Sequence, residues 1–345
     1  MNKKIFPLLA IVSIAALLTF FNVPLASSQG VTIVAAEVKG DLPVNDPANA
    51  AWQKASAVEV PLSAQNVAKP ILANTKVKSV TVKSLYNDSQ IALLIEWTDE
   101  TKNDQMVRAQ DFRDAVALQF AAAEISPFFC MGQLGNNVSL WHWKADWQAD
   151  ITARKDMQAM YENMYVDQYP FTKPDVPTGK TAPKDYTDSN YLPAMASNNL
   201  FASAARATPV ESLIAGGFGT LTSRPPASQT VQGFGAWKNN KWQVIFARAS
   251  SSKEKDDVSF VAGKTYPIAF AAWDGANNER NGSKSTSQWV SLQVGGAAPG
   301  TAKEEAKAPG SVEGIVWAFL PMLGLTLAVL GLAFVAFLFS KMPNK

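Results

Sequence analysis

The residues with the most chemical promise lie between Pro127 and Trp147, in PFFCMGQLGNNVSLWHWKADW. This stretch holds Phe128, Phe129, Cys130, Met131, the chain's single histidine (His142), and three tryptophans, Trp141, Trp143 and Trp147. Tryptophan brings a large apolar surface and methionine a soft thioether, and aromatic walls beside a thioether suit a large flat apolar ligand. The same residue types also build ordinary β cores, with methionine as gap filler. Gly132, Gly135, Asn136 and Asn137 break the stretch, so it reads as loop first and strand second.

Most other chemistries find little support. One histidine leaves little choice for a catalytic triad, no G-x-S-x-G is present, and His142 between two tryptophans on a strand looks buried rather than poised. One His and one Cys cannot make a tetrahedral N/S metal site. Gly216-Gly217-Phe218-Gly219 follows no strand–helix unit and reads as a turn rather than a nucleotide loop. A formal net charge of +2 without a basic stripe argues against nucleic acid as a partner. The single cysteine, Cys130, excludes an internal disulfide and the C-x-x-C-H attachment of covalent haem. What remains is a wide apolar pocket with one or two coordinating atoms. Haem iron accepts methionine sulfur and histidine nitrogen, and more rarely a neutral amine. Residue types leave Met131, His142 and a loop lysine open as candidates.

The elements that must position such a site are mainly β. Val31 to Val38, Val77 to Leu85, Ile91 to Trp97, Asp114 to Phe120, Val138 to Trp143, Phe234 to Trp237, Trp242 to Arg248, Tyr266 to Trp273 and Trp289 to Val294 read as strands. In the second of these, Val80 and Val82 alternate while Val77 and Leu85 fall out of phase. Asn239-Asn240 supplies a tight hairpin turn. Between Ile151 and Thr208, Met157, Met160, Tyr161, Met164 and Tyr165 recur at helical spacing, and a polar excursion from Lys173 to Asn190 follows. The expected fold is an antiparallel β-sandwich with a helical and loop insertion.

The ends carry different signals. Basic Asn2-Lys3-Lys4, an apolar run from Ile5 to Leu25 and small residues Ala26-Ser27-Ser28 predict a signal peptide over 1–28. The sandwich is expected over 29–294 and a Gly/Ala/Pro-rich linker over 295–311. A transmembrane anchor is expected over 312–341, where Ile315 to Phe339 is uncharged and long enough for a hydrocarbon core of about 30 Å. Lys341 and Lys345 place the tail inside and the body on the extracytoplasmic, periplasmic face.

A set of segments then carries a resemblance: ALLIEWTD (92–99), DAVALQF (114–120), Met131-Gly132 with VSLWHWKA (138–145), LPAMASNN (192–199), PVESLIAGGFGTLT (209–222), WQVIFAR (242–248) and FAAWDGANNERNGSKSTSQW (270–289). In their order the chain resembles the haem-binding gamma subunits of the type II dimethyl sulfoxide reductase family, found with ethylbenzene, dimethyl sulfide, selenate and chlorate oxidoreductases. The resemblance implies a non-covalent b-type haem at the edge of a β-sandwich. It implies axial ligation by Met131 of the Met-Gly motif and by Lys284 of Asn281-Gly282-Ser283-Lys284-Ser285. A free lysine titrates near 10.4, so holding one neutral for iron costs about 4–5 kcal/mol, which demands a preorganised loop. With both axial positions filled, the expectation is a non-catalytic electron-transfer subunit. Phe129 and Trp143 are then expected as haem wall and Arg248 as a propionate partner, a role open also to Lys144 or Arg280, with His142 as support. The implied partners are an iron–sulfur beta subunit, a molybdenum alpha subunit, and a quinone or cytochrome. The anchor departs from the often soluble relatives and points to a membrane-attached nitrite oxidoreductase or nitrate reductase. The alternative is a haem-free, membrane-anchored sandwich that binds carbohydrate or protein partners.

Overall fold

A computed structural model describes residues 30–121, 131–161, 163, 199–202, 206–254 and 256–296. The signal peptide, nearly all of the linker, the anchor, Phe129 and the 173–190 excursion lie outside the described residues. Among those described, no helix is long and apolar enough to cross a membrane.

Strands dominate. In chain order they are β1 (Thr32–Glu37), β2 (Val58–Pro61), β3 (Ser63–Ala64), β4 (Ser79–Tyr86), β5 (Gln90–Thr98), β6 (Ala115–Ala121), β7 (Val138–Lys144), β8 (Val210–Ala215), β9 (Thr222–Ser223), β10 (Gln232–Lys238), β11 (Lys241–Ala249), β12 (Thr265–Trp273), β13 (Ser285–Thr286) and β14 (Val290–Val294). The main hydrogen-bonded order is β10-β11-β5-β4-β1-β14-β12-β6-β7-β8-β9. The hairpins are antiparallel, and the β10–β11 turn places Asn239 and Asn240 at φ 54° and 57°, as an Asn-Asn turn allows.

The central strand departs from the antiparallel expectation. β1 pairs parallel with both β4 and β14. No hairpin constrains it, because β14 comes from the far end of the chain, so β1 joins two otherwise antiparallel arms.

Those arms, β10-β11-β5-β4 and β14-β12-β6-β7-β8, face each other through one core. Trp143 of β7 lies 6.3 Å from Trp97 of β5 and 4.9 Å from Trp242 of β11, ring centre to ring centre. Around them pack Val80, Val82, Ile95 and Phe246 from one arm and Val116, Leu118, Phe120, Ile268 and Phe270 from the other. Strands six and seven places apart in the order thus touch, which is consistent with the expected sandwich. The phase slip at Leu85 has its cause on the opposite side of the first arm. There Leu85, Ala92, Leu94, Ile245 and Ala247 form a second core with Val38, Leu42 and Trp52 of the segment after β1. With both faces buried, β4 cannot keep a simple alternation.

The helical signal falls differently from expectation. α1 (Ala145–Ala153) follows β7 at once and takes Trp147 with it, whereas the Met/Tyr pattern yields a single turn, α2 (Met157–Met160), capped by Asp156. The spacing of Met157 and Met160 is satisfied by that one turn, and Met164 and Tyr165 lie outside the described residues.

Candidate functional site

Register assigns the two faces of the second arm. Across β6 and β7, Ala117 stands opposite His142, Gln119 opposite Leu140, and Ala121 opposite Val138. Across β6 and β12, Ala271 pairs with Ala117, Ala269 with Gln119, and Trp273 with Ala115. Directly paired residues share a face, so the large residues Val116, Leu118, Phe120, Trp141, Trp143, Ile268 and Phe270 point into the core. The outer face receives Ala115, Ala117, Ala121, Ala269 and Ala271. The result is a flat floor of methyl groups bordered by Leu140, His142, Gln119 and Trp273.

Met131 and Lys284 both come to this face. Met131, half-buried, packs with Trp289 against Val138, Leu140, Leu213 and Ala215. Its backbone is fixed: Gly217 donates from its N–H to the Met131 carbonyl at 2.9 Å, and Gln133 and Asn136 exchange two backbone hydrogen bonds. Gly132 is needed there. It sits at φ 75°, and a Cβ would meet the Ala215 carbonyl oxygen at 2.6 Å.

Lys284 ends the loop that starts after β12. Ser285 pairs with Ala272 and Thr286 with Ala271, so alternation sets Lys284 beside Trp273, and its Nζ lies 5.2 Å from the centre of that ring. The loop is held at many points. Gln65 donates from its N–H to the Lys284 carbonyl at 2.9 Å and from Nε2 to the Gly282 carbonyl at 2.7 Å. Trp273 Nε1 donates to the Asn281 carbonyl at 3.2 Å. Asn281 takes φ 53°, and a Cβ on Gly282 would press on Pro70 at 3.2 Å.

The stretch of β7 from Val138, beside Met131, to His142, beside Trp273, is four residues, or roughly 13 Å of strand. His142 stacks on Trp273 with ring centres 4.8 Å apart. Burial, together with the nearby charges of Lys144, Arg113 and Lys284, holds its imidazole well below the usual range, so it is neutral at pH 7. Two nitrogens on this face, His142 Nε2 and Gln119 Nε2, are buried without a hydrogen-bond partner. Buried donors rarely stay unpaired, so a methyl-lined floor with two orphaned nitrogens suits a flat, mostly apolar ligand that carries polar atoms.

The remaining predicted residues are not brought to this face. Trp143 turns inward between Trp97 and Trp242. Arg248 of β11 is also internal: it pairs with Asp257, donates to the Val258 carbonyl, and lies 5.0 Å from the Trp141 ring. Lys144 stands on the outer face but is spent in a buried ion pair with Glu211, under the rings of Trp147 and Phe201. Arg280 lies over Phe112. A cleft beside α1, lined by Arg113, Asp146, Trp147 and Arg206 among others, contains none of the predicted site residues. Sequence reasoning passed over Gln119 and the alanine floor. The alanines at alternate positions of β6 and β12 were the available signal.

Residues 49–285 match the family model described as ethylbenzene dehydrogenase. The chain is 24% identical over 283 residues to a protein of Haloferax mediterranei named for a respiratory nitrate reductase haem subunit, covering 79% of this chain and 80% of that one. It is 23% identical to the chlorate reductase gamma subunit of Ideonella dechloratans, over 72% of this chain and 78% of the relative. It is 25% identical to the dimethylsulfide dehydrogenase gamma subunit of Rhodovulum sulfidophilum, over 63% and 58%. Among solved structures, a family 9 carbohydrate-binding module of Caldicellulosiruptor kristjanssonii, in complex with cellotriose, aligns at a TM-score of 0.35 and 9% identity, over 81% and 98% of the two chains. At that score the likeness carries no argument. The matched span includes Met131 and Lys284 and most of the β framework that brings them to one face, and on it the chain belongs to the ethylbenzene dehydrogenase family.

Proposed function

We propose that this chain is the electron-transfer subunit of an extracytoplasmic molybdenum oxidoreductase and holds one b-type haem on the outer face of β6, β7 and β12. The observation that carries the reading is that Met131 and Lys284, far apart in the chain, both border one methyl-lined face with two unpaired nitrogens. Names of the relatives point the same way: one is called a haem subunit and two are called gamma subunits of oxidoreductases.

In this reading Met131 and Lys284 would hold the haem iron. The bound group would supply a one-electron couple whose potential the methionine raises. The protein's part is positional. The Gly132 turn and the Gln65 clamp hold the two ligand-bearing loops, so little ordering is left to do on binding. His142, kept neutral, adds no charge beside Lys284, and its Nε2 and that of Gln119 are available to polar edges of the ligand. With both protein donors on the iron, no position would remain for substrate, so substrate chemistry would belong to a partner subunit. An iron–sulfur subunit and a quinone or cytochrome complete the path, with the apolar run 315–339 as membrane anchor. A nitrate reductase or nitrite oxidoreductase is the favoured setting.

The sugar-binding alternative would stack rings on exposed aromatics; among the described residues those are Tyr161, Phe201 and Phe218, and no tryptophan is exposed. The test is a haem titration of the full-length apoprotein. A saturable Soret band at one equivalent is expected, and its absence would sink the reading.

A further inference from the structure

A second constellation lies where the two arms meet at one end of the core. Asp99 follows β5, Asp114 precedes β6, and Asp274 follows β12, and one carboxylate oxygen of each falls within 4.8 Å of the others. They are buried, at 5%, 0% and 8% exposure. Among the described residues none of the three takes part in an ion pair. Three interior carboxylates this close cannot all stay ionised unless something positive or a proton stands between them.

Hydrogen bonds do not resolve it. Asp114 accepts from the N–H groups of Gly275 and Asn103 and from Trp242 Nε1, and Asp274 accepts from the Asn277 N–H. Asp99 Oδ1 accepts from Thr101. Asp99 Oδ2, however, is buried without a hydrogen bond of normal geometry, and the indole Nε1 of neighbouring Trp97, the donor facing it, carries no charge that would offset the cluster. This under-satisfied oxygen is a separate observation from the clustering, and it marks an acceptor that lacks a donor or a cation.

We infer that Asp99, Asp114 and Asp274 bind one calcium ion, which ties the two arms of the sheet together at the root of the loop that carries Lys284. The donor set is all oxygen, which selects a hard cation. Calcium–oxygen distances of about 2.3–2.6 Å let one ion reach oxygens up to about 5 Å apart on opposite sides, and calcium tolerates irregular geometry. Magnesium, at about 2.0–2.1 Å with a strict octahedron, would require the carboxylates to contract. Gly275 allows the close approach, since a Cβ there would collide with the Phe112 carbonyl and the Asn103 side chain. The site stands apart from Met131, and its test does not depend on haem.

The test uses the full-length protein, stripped with a chelator and dialysed against calcium chloride. One calcium per chain is expected, with a thermal midpoint raised by about 5–10 °C at calcium near a hundred times its dissociation constant. Asp99→Asn, and independently Asp274→Asn should the first fail to fold, are expected to lose both the bound ion and the midpoint shift. No retained calcium in the wild type would overturn the inference. So would undiminished binding in both variants, or equal binding and stabilisation by magnesium. A chelator-insensitive wild type with an Asp99→Asn variant of higher midpoint would show a shared proton in place of the ion.

Discussion

The two faces of the second arm are made by the same strands and do opposite things. Inward, β6, β7 and β12 present Val116, Leu118, Phe120, Trp141, Trp143, Ile268 and Phe270, which interlock with the first arm until nothing further fits. Outward, the same strands present alanines, a neutral histidine and a glutamine with an unpaired amide nitrogen. Large residues on one side of a strand and small ones on the other separate the work of holding the fold from the work of holding a ligand. The inner face is full and the outer face is flat.

The contrast is sharpest under mutation. Trp143→Ala removes a side chain wedged between Trp97 and Trp242 and should cost about 3–5 kcal/mol of stability, read as a lowered urea midpoint. A loss below about 1 kcal/mol would mean that the inner face is not the structural one. Lys144→Met strands Glu211 as a buried charge and should cost a similar amount, about 3–5 kcal/mol, while Lys144→Met with Glu211→Gln recovers much of it. The pair also predicts a pH signature. Burial outweighs Glu211 and pushes Lys144 down to about 8, below its unfolded value of 10.5. The unfolded chain therefore holds a proton that the folded chain gives up, so the cost is fully present below pH 8. Stability should rise by about 1–3 kcal/mol as pH climbs from about 8 toward 10.5, and Lys144→Met should abolish the rise. Ala271→Phe is the smallest change for the fold. Its site is half-buried, beside Ala117 and Thr286, so stability should move by about 1 kcal/mol or less. Haem affinity should nonetheless fall at least about tenfold, as a ring on the floor displaces a flat ligand. Unchanged affinity would move the ligand off this face.

Much of this was legible in the residues, and the gaps have physical causes. Apolar runs at 91–97 and 242–248 and the Asn239-Asn240 turn predict the first arm's hairpins, because strand composition and turn chemistry are local facts. The parallel pairing of β1 was not readable, since its partners lie some fifty and two hundred and sixty residues away and no turn connects them. Trp143 looked like ligand wall because residue type says nothing about which face of a strand it takes, and only register against Val116 and Val210 decides that. Arg248 misled in the same way, as Asp257 claims it from a loop. The Asp99, Asp114 and Asp274 trio is invisible in sequence because its members sit at the ends of three strands from different parts of the chain. Residue types offer Met131 only as one candidate beside His142 and an unspecified loop lysine, and the choice of Met131 with Lys284 enters by resemblance to relatives. Nothing in their local pattern separates a ligand lysine from a solvated one.

The most direct test of the outer face as a haem site is the absorption spectrum of the reconstituted full-length protein with Lys284→Ala, set beside Met131→Ala and His142→Ala. The account predicts that each of the first two turns a six-coordinate low-spin haem into a high-spin or five-coordinate one, while His142→Ala leaves six-coordination intact. A low-spin spectrum untouched by Lys284→Ala, or lost in His142→Ala alone, would contradict it.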